Sequence, residues 1–254
     1  MIIDSRSFPA GHEIQADICI IGAGAAGLAM AKTFAGSALQ VCLLEAGGFE
    51  LDQDIQDIYE GEHLGVNQGQ SLSPCRLRYL GGTTNHWNGQ CRPLDAVDFE
   101  PRDWVPHSGW PIDFASLAPY FDRAVVTIQL GSTKFDPEYW QKTAASDWYR
   151  LPPVAGGIMQ PAVFQYSPLR FGEIYRPMLQ EEGNLTLVHH ANVLEIETDD
   201  TAGAVSGLSV QAWEAHTFTV KARAYVLATG GIENARLLLL SDRIQKRGLG
   251  NGHD

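Results

Sequence analysis

Residues 17–27 read DICIIGAGAAG, and the fold follows from how this stretch must run. Asp17 opens a short apolar run that ends at Ile21 and stops at Gly22. Such a run, bounded by glycine, reads as a strand of a parallel sheet buried on both faces. Residues 25–34 have helix-forming composition, and Gly36 is placed to end that helix. Residues 40–44 read as a second buried strand, closed by Glu45, 18 residues past Gly27. The glycines match GxGxxG, and each serves a purpose. Gly22 makes the sharp turn, Gly24 lets a pyrophosphate reach the backbone, and Gly27 lets helix and strand pack closely. Ala25 and Ala26 sit at the helix start, where free N–H groups and the positive dipole end face an anion. Glu45, followed by Ala46, can accept hydrogen bonds from ribose hydroxyls. Its charge disfavours a 2′-phosphate, so NADP is not expected. A βαβ turn without a ligand would meet the spacing but leaves the acid at the strand tip unexplained. The pattern predicts an α/β, Rossmann-like domain with a mostly parallel sheet that binds a dinucleotide.

Two more glycine clusters follow. The first is Tyr79-Leu-Gly81-Gly82-Thr83-Thr84-Asn85-His86-Trp87-Asn88-Gly89. Two glycines allow flat backbone passage beside a ligand, short polar side chains offer hydrogen bonds, and Trp87 offers a flat wall. The mixture suits a ring with one polar edge and an apolar face; a polar surface turn is the other reading. In the second, residues 224–228 read as a buried strand leading into Gly230 and Gly231, with a helix over 232–240 from which Arg236 reaches solvent or phosphate. Between them, residues 184–197 and 206–221 alternate apolar and polar side chains and read as antiparallel strands.

Composition sets the bounds. The 254 residues are 44% hydrophobic and 19% charged, enough for a sizeable core. A net charge of −12 repels nucleic acid, and no Lys/Arg run suggests an anionic membrane. The acidic stretch over 45–62 reads as a solvated face or loop. Cys19 and Cys42 lie in apolar runs, and Cys75 and Cys91 flank the glycine-bearing stretch over 79–89. No CxxC pair occurs, so a zinc site is not expected and no metal is assigned. No apolar window is long enough to span a membrane, and residues 1–15 do not read as a secretory signal. A cytoplasmic location is the expectation, with periplasmic export beside a partner subunit left open.

At the three glycine clusters the sequence resembles the glucose–methanol–choline (GMC) oxidoreductases. The matching segments are IIGAGAAGLAMAKTF with LLEAGG, RYLGGTTNHWNGQCRP, and VLATGGIENARLLL. SGWPIDFASLAPYFDRA, residues 108–124, resembles the bacterial sugar-oxidising branch, which includes pyranose oxidases and large subunits of sugar dehydrogenases. The resemblance implies FAD bound in extended form. Gly22, Gly24, Ala25, Ala26 and Gly27 would meet the pyrophosphate, and Glu45 with Ala46 the adenosine ribose. Gly81, Gly82, Thr83, Asn85 and Trp87 would line the flavin side, the backbone of Val193 the adenine, and Gly230 and Gly231 the underside. His86 stands in the register of a histidine that is bonded covalently to flavin in fungal pyranose oxidases. A covalent link, a non-covalent flavin contact and a structural role all stay open for it.

The resemblance also implies oxidation of a CH–OH group, in a sugar or polyol, by hydride transfer to flavin while a histidine takes the hydroxyl proton. The electron acceptor, oxygen or a partner protein, is open. Family members carry that histidine nearer their C-terminus, so no catalytic residue is assigned here and the base is expected beyond Asp254. His189 and His190 do not fill the role, because neighbours on a strand point to opposite faces. His12, His63, His107, His216 and His253 read as loop or surface residues. Two other readings remain: a non-catalytic FAD-binding module, and an NAD-dependent dehydrogenase for which Gly81-Gly82 has no role. The expected layout is an FAD domain over 1–92 and 181–254, interrupted at 93–180 by part of a substrate-side region of α+β character. That excursion carries Trp104, Trp110, Trp140 and Trp148, read as packing before sugar stacking, and a helix capped by Asp113.

Overall fold

The computed structural model describes residues 1–62, 64, 71–143 and 161–250. Trp148, His63 and His253 lie outside them. The chain divides into two units, Met1–His86 with Arg170–Asp254, and Trp87–Leu169.

In the first unit the elements are β1 (Ile2–Asp4), β2 (Glu13–Ile21), α1 (Ala25–Phe34), β3 (Val41–Leu44) and a short α2 (Gln53–Gln56). The second unit holds β4 (Gln90–Cys91), α3 (Phe114–Thr127), α4 (Pro137–Thr143) and β5 (Gln165–Tyr166). The chain re-enters the first unit through α5 (Phe171–Glu181), then β6 (Leu185–His189), β7 (Ala191–Thr198), β8 (Val205–Ala212), β9 (Thr217–Leu227) and α6 (Gly231–Leu240). The sequence pattern places residues 171–180 in the excursion, and the structure differs. Their helix belongs with the first unit because Phe171 is buried and Gly172 lies so close to Leu80 that a Cβ would sit 2.3 Å from its carbonyl oxygen.

One seven-stranded sheet organises the first unit, in the order β1-β6-β3-β2-β9-β8-β7. The five strands β1, β6, β3, β2 and β9 run parallel, and β8 and β7 add an antiparallel margin. β2, β3 and β6 carry the continuous apolar runs expected of strands covered on both faces: Cys19, Ile20, Leu43, Leu44, Leu187 and Val188 are all at most 2% exposed. α1, as long as the sequence predicts, ends at Ala35 before Gly36, whose φ of +71° suits only a glycine well.

Two strand expectations change. Residues 185–189 run parallel with β3 and β1 rather than antiparallel, because their largely buried side chains fit a central strand. Residues 184–197 are not one strand. His190 takes a φ of +55°, which ends β6 and starts β7 in a new direction. The premise that His189 and His190 face opposite ways fails with it: their Nδ1 atoms lie 3.0 Å apart.

In the second unit Asp113 caps α3 as expected, its carboxylate accepting the Ser116 N–H at 2.8 Å. Trp104 and Trp110 are largely exposed, at 80% and 58%. Among the described residues no helix is long and apolar enough to cross a membrane.

Candidate functional site

A cavity of about 580 Å³ opens at the carboxyl ends of β2, β3 and β9, where ligands enter open parallel sheets. That volume lies within the range of small-molecule sites. Three glycine turns line it.

In the β2–α1 turn Gly22 has a φ of +100°, and a Cβ there would meet the Ala228 carbonyl oxygen at 2.7 Å. The first and third glycine clusters therefore touch through bare backbone. At Gly82 a Cβ would lie 3.2 Å from the Gly24 Cα, so the second cluster reaches the first in the same way. Gly24, Gly230 and Gly231 have nothing within 4 Å of where a Cβ would stand. Gly24 and Gly230 cap α1 and α6 without any side-chain hydrogen bond, and α1 has no acid in its first turn. The N–H groups at the start of α1 thus have neither a side-chain cap nor an acid of the first turn beside them, whereas α6 carries Glu233 in its first turn. Asn234 fixes the third turn, its Oδ1 accepting the Thr229 N–H at 3.1 Å and the Thr229 hydroxyl at 2.6 Å.

Glu45 lines the cavity and is 6% exposed. Its Oε2 accepts the Ala23 N–H and its Oε1 the Gly47 N–H, both at 3.0 Å. Each oxygen keeps a lone pair for a further donor. Burial pushes this carboxyl up, against the Gly47 and Ala23 N–H groups and the charge of Arg78.

A charge cluster in the cavity, Arg236 apart, escapes a reading of the sequence. Glu233, 6% exposed, receives Arg76 Nη1 at 2.8 Å, Arg236 Nε at 2.8 Å and Arg78 Nη1 at 3.7 Å. The Arg76 and Arg78 guanidinium carbons lie 4.0 and 5.0 Å from the Tyr59 ring centroid. Arg78 also donates to Asn192 Oδ1, while its buried Nε has no partner. Three guanidinium groups around one carboxylate leave a surplus of positive charge in a chain of net charge −12. An unpartnered buried donor beside it is what an anionic or hydroxyl-rich ligand would satisfy. Arg76 and Arg78 stand just before Gly81-Gly82, which is the available signal; their convergence on Glu233, 157 residues from Arg76, is not readable.

Of the residues expected at the site, Gly22, Gly24, Ala25, Ala26, Glu45, Ala46, Gly82, Thr83, Val193, Gly230 and Gly231 line this cavity. Five others stand elsewhere. At Gly27 a Cβ would come within 1.9 Å of the Gly22 carbonyl oxygen, so that glycine serves helix–strand packing. Gly81, with φ of +94°, packs on Gly172, where a Cβ would meet backbone N at 2.5 Å. Asn85 donates to the Leu80 carbonyl at 2.9 Å and lines a separate cavity of about 340 Å³ with Tyr79, Arg170 and Arg176. His86 is exposed, just after the turn, its N–H bonded to the Thr83 carbonyl at 3.2 Å. Trp87 opens the second unit and donates its indole N–H to Leu169 O at 2.8 Å. No histidine lines the cavity among the described residues.

Residues 17–247 match the family described as FAD dependent oxidoreductase. A 6'''-hydroxyparomomycin C oxidase of Streptomyces lividus is 28% identical over 127 residues, 42% of this chain and 21% of that protein. A 2-methyl-1,2-propanediol dehydrogenase of Mycolicibacterium austroafricanum is 25% identical over 56% of this chain and 29% of that protein. A paromamine 6'-oxidase of Streptomyces fradiae is 24% identical over 89% of this chain and 49% of that protein. The chain spans half or less of the length of these relatives. Among solved structures, a formate oxidase superposes with a TM-score of 0.56 at 18% identity, covering 92% of this chain and 48% of the other. A pyridoxine 4-oxidase from Mesorbium loti does so with the same score and identity over 88% of this chain and 51% of the other. At such identities the likeness is one of fold.

Proposed function

The chain belongs to the FAD dependent oxidoreductase family, and on that premise we propose that it serves a GMC-type oxidation of a sugar or polyol CH–OH group. FAD is the cofactor, and it supplies the hydride acceptor for such a reaction. The observation that carries the reading is the meeting of three glycine turns at one cavity, with backbone-to-backbone approach at Gly22–Ala228 and Gly24–Gly82.

The chain's residues then act as holders. The uncapped start of α1 presents its N–H groups to the pyrophosphate. Arg76, Arg78 and Arg236 provide the positive charge that two phosphates need in an acidic protein. The free lone pairs of Glu45 take ribose hydroxyls, and Val193 meets the adenine. For His86 we propose a non-covalent contact on the flavin side. The proton-accepting base is proposed to lie outside the residues lining this cavity, and the oxidation to belong to the whole protein. The alcohol class is supported by the names of the relatives, which speak of a diol dehydrogenase and of oxidases of paromamine and 6'''-hydroxyparomomycin C.

The decisive experiment is anaerobic mixing of the purified yellow protein with a panel of sugars, polyols and simple acids. Loss of the flavin's visible absorbance with a sugar or polyol is the expected result; reduction by none of the alcohols would overturn the substrate class. Acid precipitation of the same sample should release all the FAD. A yellow pellet would place a covalent bond at the flavin and overturn the reading of His86.

A further inference from the structure

A second constellation lies outside the cavity, at the end of β1 and β6. Asp4 and His189 are register partners on these adjacent parallel strands, so their side chains rise from the same level of the sheet. The left-handed His190 then brings its own ring back beside His189. That backbone is held on three sides: the His190 N–H donates to Gly47 O at 3.0 Å, and its carbonyl accepts the Ser5 hydroxyl at 2.7 Å and the Trp213 N–H at 3.0 Å. A non-glycine residue held in this region by so many bonds marks a conformation the surroundings enforce. Gly48 makes room for the ring, since a Cβ there would lie 2.8 Å from His190 Nε2.

We propose that Asp4, His189 and His190 form a binding site for a divalent transition ion of the zinc type. His189 Nδ1 lies 3.0 Å from His190 Nδ1, and His190 Nδ1 lies 3.3 Å from Asp4 Oδ2. All three ligand atoms fall within 4.8 Å of one another. Two donors bound to one tetrahedral zinc at ~2.1 Å stand about 3.4 Å apart, so the observed spacings are close to the edges of such a polyhedron. Two imidazoles and a carboxylate are also the donor set that selects borderline ions over magnesium or calcium. A water completes the fourth position. The Arg6 guanidinium, bonded to Asp4 Oδ1 through Nε at 3.0 Å and to Oδ2 through Nη2 at 2.6 Å, must give up part of its hold, and its side chain is 48% exposed and free to do so. The Phe49 ring lies 4.7 Å from that of His189, with Arg176 stacked on it at 3.9 Å. The ion would staple β1 to β6 and pin the His190 backbone against the loop that carries Glu45.

This inference does not rest on the flavin reading, and its test needs no turnover. Protein stripped with a chelator is titrated with Co²⁺ and then Zn²⁺, with and without FAD. The expected result is one Co²⁺ per chain with visible ligand-field absorption, displaced by Zn²⁺, and a rise in Tm. His189→Gln and Asp4→Asn should each weaken binding by more than about 100-fold, beyond the roughly 10–100-fold loss typical of outer partners. His107→Gln, at an exposed position, should leave it unchanged. Absence of stoichiometric binding, or equal binding by D4N and H189Q, would overturn the site. Should a variant not fold, imidazole ¹⁵N spectra of the unaltered protein decide: zinc must move the Nδ1 signals of two histidines, and movement of Nε2 signals alone refutes the assignment.

Discussion

The two strand–glycine–helix turns of the first unit look alike in sequence and differ in what their glycines face. In the β2–α1 turn, Gly22 and Gly27 are pressed by backbone, with a hypothetical Cβ 2.7 Å from Ala228 O and 1.9 Å from Gly22 O respectively. In the β9–α6 turn, Gly230 and Gly231 face open space. Gly24 belongs with the second group although it sits in the first turn. A glycine squeezed by its own protein is there so the chain can fold. A glycine with empty space ahead of it, on a cavity wall, is there so that something else can approach. The GxGxxG pattern mixes the two kinds, and substitution should separate them.

Gly27→Ala should have the largest effect. The added methyl meets a backbone carbonyl that cannot swing away, so the β2–α1 pair must part, at a cost of about 3 kcal/mol. Urea unfolding should show a much lower midpoint with or without FAD; an unchanged midpoint would mean the squeezed class does not exist here.

Glu233→Gln comes next. Three guanidinium groups then face each other without their shared carboxylate, which for a group 7% exposed should cost about 2 kcal/mol, less than a fully buried pair because Arg236 is 40% exposed. FAD brings its own negative charge, so the rise in Tm on adding FAD should be larger in this variant than in the unaltered protein. An equal rise would separate the arginine cluster from the phosphates.

Glu45→Gln should cost about 1–2 kcal/mol, because an amide offers one acceptor oxygen to two backbone N–H groups. It also changes a pH dependence. Burial lifts the folded-state value of this carboxyl above its ordinary 4.5. Its stabilising contribution is therefore complete below pH 4.5 and is lost as pH rises through the folded value. Denaturant midpoints measured across that window should fall with rising pH less steeply in the variant.

Much of this is legible in the sequence because it is local. The β2–α1–β3 unit follows from residues that touch their near neighbours, and the helix over 25–34 comes out with the same ends. The direction of β6 is not legible, because alternation over five residues says little about which strand will pair with it. The fold puts it between β1 and β3, where direction is set by sheet order. His190 is hidden because a left-handed histidine breaks strand periodicity without any glycine or proline to announce it. The arginine cluster is invisible for another reason. Arg76, Arg78 and Glu233 are joined only by the closure of the sheet, and no spacing rule links residues so far apart.

Gly231→Ala should have the smallest effect on stability, and of opposite sign. Gly231 opens α6 and lines the cavity with nothing near its missing Cβ. Alanine gives up less backbone entropy than glycine in a helix, so the flavin-free chain should gain up to about 0.5 kcal/mol. The same methyl projects into space that, in the proposed function, the dinucleotide needs. FAD affinity should fall about tenfold, an energy of about 1.4 kcal/mol. Gly27→Ala, by contrast, should lose stability and FAD together. Paired measurements of midpoint and FAD dissociation constant on both variants test the distinction directly. If Gly231→Ala binds FAD as tightly as the unaltered chain, the open glycines do not face the cofactor, and the cavity holds it elsewhere.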